Sequence, residues 1–414
     1  MFMKKLRIAE FIDSYYPCID GVMNVVTNYC RNFNNEKAEC MLITPAAKKS
    51  DHYKDCQPFE VVRCLSVSAP DGYRCGFPEI DAKLEKRLKN EHFDIFHVHS
   101  PFNMGLYAIK QAKKRGIPVV VTLHTKYHED FKRTLHGNKV LCDFMIKRIM
   151  RVFNNADYVW TVTESTCQVL RDYGYKGKID VVRNGTDMLY PDNAEELVKN
   201  INEKHNLFGK KNVFIFVGRI AIYKNVYLLA DALKILSDSG TDFTMIMVGG
   251  GFDEEDLKKY TQKLGIYDKF IFAGIVSDRN LLQGYYLRSD VFLFPSVFDN
   301  GPIVCLEAAA NKIPSLYIRG SSAAEQIVDN ENGFLCEENA QSIADRVSEI
   351  IQDPELIKRA GENAYRTVYR NWDHVTEEVL ARYDEIIKDY KEKHADDLLE
   401  HANEKVLKQG EITD

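Results

Sequence analysis

Short apolar runs alternate with longer amphipathic ones along this chain, and the scheme starts afresh near its middle. Such alternation marks βαβ units, whose apolar strands are buried in a parallel sheet with helices on its faces. In the first half it predicts strands over Leu6–Ile12, Ala38–Thr44, Phe59–Cys64, Ile95–His99, Val119–Leu123, Tyr158–Thr163 and Ile179–Val182. Helical patterns lie between them at Asn24–Phe33, Asp81–Asn90, Gly105–Arg115, Val140–Asn154 and Glu164–Tyr173. The second half predicts strands at Asn212–Val217, Thr244–Val248, Phe270–Phe272 and Val291–Phe294, with short ones at Ser315–Tyr317 and Gly333–Leu335. Its helices are expected at Val226–Ser237, Glu254–Leu264 and Asp278–Ser289. The turn-prone stretch 184–211, with Asn184-Gly185-Thr186-Asp187 and Tyr190-Pro191-Asp192-Asn193, reads as the join. The expected fold class is α/β, two Rossmann-like parallel domains facing a cleft at the carboxyl ends of their strands. Domain limits of 1–190 and 191–373 follow, with a charged tail over 393–414.

The length of 414 residues is too great for one core and suits two domains. A net charge of −6 argues against general affinity for nucleic acid. The opening MFMKKLRIAEFIDSYY reads as a first strand rather than a signal peptide, because Glu10 and Asp13 break its apolar run. No run approaches the roughly 18 apolar residues of a membrane span. The ten cysteines form no CxxC pair and no zinc-type spacing with histidine, so reduced thiols in a cytoplasm are expected.

The stretch Pro295–Pro314, PSVFDNGPIVCLEAAANKIP, carries two acids about a helix start. Proline favours the first helical position, which predicts a helix opening at Pro302. Asp299 then sits in the loop before the helix and Glu307 in its second turn. The free N–H groups between them suit an anion such as a phosphate. A surface turn with two solvated acids is the plainer reading of the same residues. Arg219 and Lys224 follow the first strand of the second half, where two cations suit a diphosphate; solvated surface charges are the alternative. Gly249, Gly250 and Gly251 follow the next strand and either admit a flat base or form a plain turn. They are not a GxGxxG fingerprint, and no acid stands where an NAD ribose would need one. Gly21 follows the first strand and permits close backbone approach ahead of a helix, or simply turns the chain.

His97 and His99 end one strand and His124 another, which aims imidazoles at the same sheet edge. No Asp/Glu/His helix spacing supports a metal site, so none is expected. Basic clusters occur at Lys110, Lys113, Lys114 and Arg115, and at Lys147, Arg148 and Arg151. The second lies on an amphipathic pattern with Phe144, Ile146, Ile149, Met150 and Phe153. Such a helix either meets an anionic membrane surface or packs its stripe on the core.

Taken in order, Gly21, His124, Asn184-Gly185-Thr186-Asp187, Arg219 with Lys224, Gly249-Gly250 and the acids at 299 and 307 resemble the family 4 retaining glycosyltransferases of the GT-B fold. The resemblance spans Leu6 to about Tyr383. Asn371-Trp372-Asp373 looks like the family's last crossover, which implies a helix at about 374–392 packing back on the first domain. The resemblance implies that Gly21 offers its N–H to the donor phosphate and that Arg219 and Lys224 neutralise the departing diphosphate. It implies Glu307 on the ribose, Asp299 with Gly301, Pro302 and Ile303 on the sugar, and Gly249 and Gly250 at the nucleotide. His124 would lie near the transferred sugar and the acceptor. The implied donor is a nucleotide-diphosphate sugar, with no cofactor and no metal.

The chain departs from the family's form at three places. Asp299 stands where Glu is usual, Asn300-Gly301 where Phe-Gly is usual, and Asp20-Gly21 where a double glycine is usual. The form Asp20-Gly21-Val22 and the triplet Leu123-His124-Thr125 look most like the bacterial diacylglycerol glucosyltransferases. That branch implies UDP-glucose as donor, a glycerolipid acceptor, and a cytoplasmic enzyme peripheral on the inner face of the cell membrane. Three alternatives stay open: a soluble or cell-wall polymer acceptor, an inactive nucleotide-sugar-binding scaffold, and a sugar-nucleotide epimerase.

Overall fold

The structure is a computed structural model that describes residues 5–18, 20–69 and 73–395. It divides into two compact units, one holding the chain to Arg183 and again from Trp372, the other Asn184–Asn371. The divisions thus fall at 183/184 and 371/372, against the expected 190/191 and 373.

The first unit is built on strands β1 (Leu6–Phe11), β2 (Ala38–Pro45), β3 (Glu60–Cys64), a small hairpin β4 (Ser66–Ser68) and β5 (Arg74–Gly76), β6 (Ile95–Val98), β7 (Val119–Leu123), β8 (Tyr158–Thr161) and β9 (Asp180–Val181). Seven of them form one sheet in the order β3-β2-β1-β6-β7-β8-β9. The pairings are parallel, with Ile8 level with Cys40 on one side and Ile95 on the other. All five residues of β7 are buried, as expected of a parallel strand covered on both faces. Chain order reverses between β1 and β6, which creates a topological switch point there. The helix Trp372–Lys393 buries Trp372, Val375, Val379 and Tyr383. Its rings meet the helix Gly21–Phe33, Trp372 against Tyr29 at 5.5 Å and Tyr383 against Phe33 at 5.7 Å.

The second unit holds β10 (Val213–Val217), β11 (Thr244–Val248), β12 (Phe270–Gly274), β13 (Val291–Phe294), β14 (Ser315–Ile318) and β15 (Phe334–Cys336). They form one parallel sheet in the order β12-β11-β10-β13-β14-β15. Its switch point lies between β10 and β13. Every residue of β10, β11 and β13 is buried.

Elements not anticipated include the helix Tyr127–Thr134, the β4–β5 hairpin, and the helix Ala194–His205 inside the stretch read as a join. The last buries Leu197 and Ile201, an i, i+4 pair, and ends on Asn206 in the left-handed conformation. The crossover helix runs over Trp372–Lys393 rather than 374–392. Most of the expected charged tail, from 396 on, lies outside the described residues.

Candidate functional site

In the second unit, the loops after β10 and β13 leave the carboxyl edge of the sheet side by side. Lys224 closes a short 3₁₀ turn, Ile222–Lys224, and Asp299 lies in the loop after β13. The Lys224 Nζ stands 2.6 Å from Asp299 Oδ1 and 2.7 Å from Oδ2. The two side chains are only 11% and 21% exposed, and the ammonium lies 5.6 Å from the Phe294 ring centre. The shorter acid therefore does have the reach to touch a cation of the same loop cluster. Arg219, between Gly218 and Ile220, is exposed.

The helix after Asp299 runs over Ile303–Ala310, and Pro302 is its N-cap with ψ 128°, not its first helical residue. Extended backbone at Pro302 shifts the start by one position. Gly301 adopts φ 52°, a left-handed conformation that turns the chain into the helix. Its carbonyl accepts the Asn184 Nδ2 at 3.0 Å, so the Asn184-Gly185-Thr186-Asp187 motif braces this loop. The partly buried helix start leaves N–H groups suited to an anion.

Glu307 is 5% exposed and lies on that helix. Arg279 reaches its Oε1 at 2.8 Å and also binds Asp187, while the Tyr286 hydroxyl donates to its Oε2 at 3.1 Å. Burial pushes the Glu307 carboxyl up and Arg279 pulls it back. Arg279 opens the helix Arg279–Arg288, where a cation opposes the helix dipole. That misplaced charge was the available signal for Arg279, and sequence reading passed over it, as it did Tyr286.

The glycine run after β11 has an internal cause. A Cβ on Gly249 would lie 2.0 Å from the Gly218 carbonyl oxygen, and one on Gly251 equally close to that of Ile220. The loops after β10 and β11 are laced together by Gly218 N–H to Val248 O and Ile220 N–H to Gly250 O. Close approach of protein backbone, rather than of a flat base alone, thus requires glycine there.

In the first unit, Gly21 opens the helix Gly21–Phe33, capped by Asp20, whose Oδ1 accepts the Met23 N–H at 2.7 Å. A Cβ on Gly21 would meet nothing within 4 Å. His99 follows β6 and His124 follows β7, and the rings meet at 2.9 Å, His99 Nδ1 to His124 Nε2. Behind them, His99 Nε2 lies 2.6 Å from Glu10 Oε2. Glu10, an acid inside an otherwise apolar central strand, is 0% exposed and was read only as a break in a run. Donor atoms of Glu10, His97 and His99 lie within 4.8 Å of one another. His97 spends both ring nitrogens on Tyr383 and Thr122.

The basic clusters divide. Lys110 pairs with Glu79 and Lys114 with Glu85, Arg115 donates to the Leu88 and Glu91 carbonyls, and Arg148 donates to Asn103. Lys113, Lys147 and Arg151 are exposed. On the helix Lys139–Phe153, Val140, Leu141 and Phe144 are exposed too, by 81%, 41% and 60%. Among the described residues, no helix is long and apolar enough to cross a membrane.

Comparison with known proteins agrees with this architecture. The family described as "Glycosyltransferase Family 4" matches residues 19–188, and "Glycosyl transferases group 1" matches residues 198–367. An alpha-monoglucosyldiacylglycerol synthase of Streptococcus pneumoniae is 26% identical over 75% of this chain and 70% of its own. The Escherichia coli UDP-Gal:alpha-D-GlcNAc-diphosphoundecaprenol alpha-1,3-galactosyltransferase is 30% identical over 81% of this chain and 85% of its own. Among solved structures, Anabaena HepE in complex with UDP and glucose superposes with a TM-score of 0.72 at 16% identity, over 92% of this chain and 100% of that one. The chain belongs to the family 4 glycosyltransferases of the GT-B fold.

Proposed function

We propose that this glycosyltransferase moves a hexose, glucose from UDP-glucose in the first instance, to a hydroxyl of a membrane glycerolipid such as diacylglycerol. The observation that carries the donor half is the grouping at the β10/β13 switch point. Two cations, Arg219 and Lys224, a helix start at Ile303 and a buried acid, Glu307, share one sheet edge. In this reading Lys224 exchanges Asp299 for the donor diphosphate, Arg219 grips the same group in a fork, and Asp299 is freed toward the sugar hydroxyls. Glu307, held in place by Arg279 and Tyr286, accepts from the ribose hydroxyls. Gly250 and Gly249 lie along the base, Gly301 to Ile303 along the sugar, and Gly21 and His124 belong to the transfer step.

The bond from the anomeric carbon to the diphosphate breaks, and the acceptor oxygen forms its bond on the same face, with retention. The acceptor proton passes to the departing phosphate. Fixed positive charge where negative charge develops lowers that barrier and replaces a metal in this role. The acceptor half is supported by the diacylglycerol-glucosylating relatives and by exposed Val140, Leu141 and Phe144 beside Lys147 and Arg151. The enzyme then works peripherally at the cytoplasmic face of the cell membrane.

The test is incubation of the full chain with labelled nucleotide sugars and diacylglycerol in anionic vesicles. A labelled α-glycolipid is expected with UDP-glucose, with chelator present. Transfer only to a soluble glycan would overturn the lipid acceptor, and neither transfer nor hydrolysis of any nucleotide sugar would overturn the enzyme reading.

A further inference from the structure

Three buried side chains stand in a line in the first unit: Glu10 on β1, His99 after β6 and His124 after β7. Glu10 and His99 are 0% exposed and His124 is 8% exposed. The links are short, 2.6 Å from Glu10 Oε2 to His99 Nε2 and 2.9 Å from His99 Nδ1 to His124 Nε2. The other carboxyl oxygen, Oε1, has the Tyr383 hydroxyl at a long 3.4 Å, so the shared proton belongs on the Oε2 side.

The direction of these bonds follows from charge. Besides imidazoles, the described residues offer Glu10 no basic partner, and a lone buried carboxylate is strongly disfavoured. The line is therefore net neutral and, because burial keeps the His97 and His124 rings uncharged, it takes one of two forms. Either Glu10 is a carboxylic acid donating to a neutral His99, or a carboxylate faces a doubly protonated His99. Both forms leave a proton on His99 Nδ1, donated to His124 Nε2. A neutral imidazole that accepts at Nε2 carries its proton on Nδ1. Burial acts in the same direction, raising the Glu10 carboxyl and holding the His124 ring in its neutral form.

We propose that Glu10 and His99 are positioning residues that lock His124 as a neutral imidazole with its proton on Nδ1, so that His124 serves the transfer step as a hydrogen-bond donor and not as a base. The part concerning transfer rests on the function proposed above. The tautomer itself does not, and it is read without substrate.

The experiment is nitrogen NMR on the full chain labelled with ¹⁵N-histidine, the His124 signals being identified by their loss in His124→Asn. Neutral His124 with the proton on Nδ1 is expected, and a proton on Nε2 overturns the proposal. Glu10→Gln keeps a donor facing His99, so it is expected to keep the His124 tautomer and kcat within about threefold. Glu10→Leu removes the donor. It is expected to give a mixed tautomer and to lower kcat by about tenfold or more with little change in KM for the nucleotide sugar. Should the Leu variant not fold, the wild-type and Gln spectra decide: a Gln variant whose His124 proton moves to Nε2 also overturns the proposal. If no transfer activity is found, the function reading fails while the spectra still judge the tautomer.

Discussion

Lys224 and Asp299 hold each other before any substrate arrives, and that pairing shapes what their replacement should do. Lys224→Ala removes a charge-assisted phosphate contact worth about 1.5–3 kcal/mol, so nucleotide-sugar affinity and turnover should fall by roughly ten- to a hundredfold. Arg219→Ala should act in the same direction at the lower end of that range, because Arg219 is exposed and water screens it. Calorimetric titration with UDP checks both, and unchanged binding in the pair would contradict the phosphate site. Asp299→Glu lengthens an arm that already reaches Lys224 at 2.6 Å, so it should be tolerated or raise activity with some donors. Complete loss of transfer in that variant would instead show the shorter acid to be matched to one sugar. Asp13 bears on stability rather than transfer. Its Oδ2 is buried without a partner, and burial raises its carboxyl to about 7. An acid raised in the folded state stays protonated while the unfolded chain ionises. Its contribution is therefore full below about pH 4 and is lost as pH rises to about 7. Melting curves across that window should flatten in Asp13→Asn, and an unchanged slope would acquit this carboxyl. Most of the donor-site residues that sequence reading found follow strands in plain sight, with Glu307 on the helix after one. Glu10 and Arg279 were missed although each breaks a local rule, an acid within a buried strand and a cation at a helix start. Their partners, His99 with Glu10 and Glu307 with Arg279, are far away in sequence and come near only through the fold.

At the scale of elements, the helix Lys139–Phe153 has two jobs on two faces. Ile149, Met150, Val152 and Phe153 are buried, which secures it to the first unit, while Val140, Leu141 and Phe144 near its start are exposed. With Lys147 and Arg151 this outer face has the composition of a surface that lies in an anionic headgroup layer. Each such cation is worth about 1 kcal/mol there, so Lys147→Glu with Arg151→Glu should weaken binding to anionic vesicles by about thirtyfold or more. Phe144→Ser should weaken it independently of charge and salt. Flotation with anionic and neutral vesicles measures both, and equal flotation of all three proteins would remove this helix from the membrane reading. Periodicity had located the helix to within a residue at each end, but not which side of it the core would take. The helix Ala194–His205 shows the opposite failure. Its i, i+4 pair Leu197 and Ile201 is there to be read, yet the preceding Pro191-Asp192-Asn193 punctuation outweighed a stripe of only two buried residues. Strand interiors such as β7 and β11 were legible because burial on both faces leaves no charged residue in them, only the β-branched Thr122 and Thr244 among apolar side chains.

For the whole molecule, chain connectivity makes the two units unequal. Asn184–Asn371 is one continuous segment with its own six-stranded sheet and its own apolar core, from Met188 to Ala360. The first unit is discontinuous and takes Trp372, Val375, Val379 and Tyr383, each at most 3% exposed, from the far end of the chain. Tyr383 also supplies the hydroxyl that lies 2.6 Å from His97 Nδ1. Removing that helix would expose a stripe of core and leave Nδ1 of the buried His97 without its partner, a loss that a unit with about 5–15 kcal/mol of stability cannot absorb. The segment 184–371, produced alone, should therefore unfold cooperatively on heating, whereas 1–183 should not fold until residues 372–395 are joined to it. If the donor residues are those of the second unit, UDP at about a hundred times its Kd should stabilise the isolated segment by about 2.7 kcal/mol. That corresponds to a rise of roughly 5–10 °C for a unit of this size. Lys224→Ala should abolish most of the rise without lowering the melting point of the free segment by a similar amount. A segment that melts cooperatively but shows no shift with any nucleoside diphosphate would place donor binding elsewhere in the chain, and one that never folds would show that the second unit depends on the first.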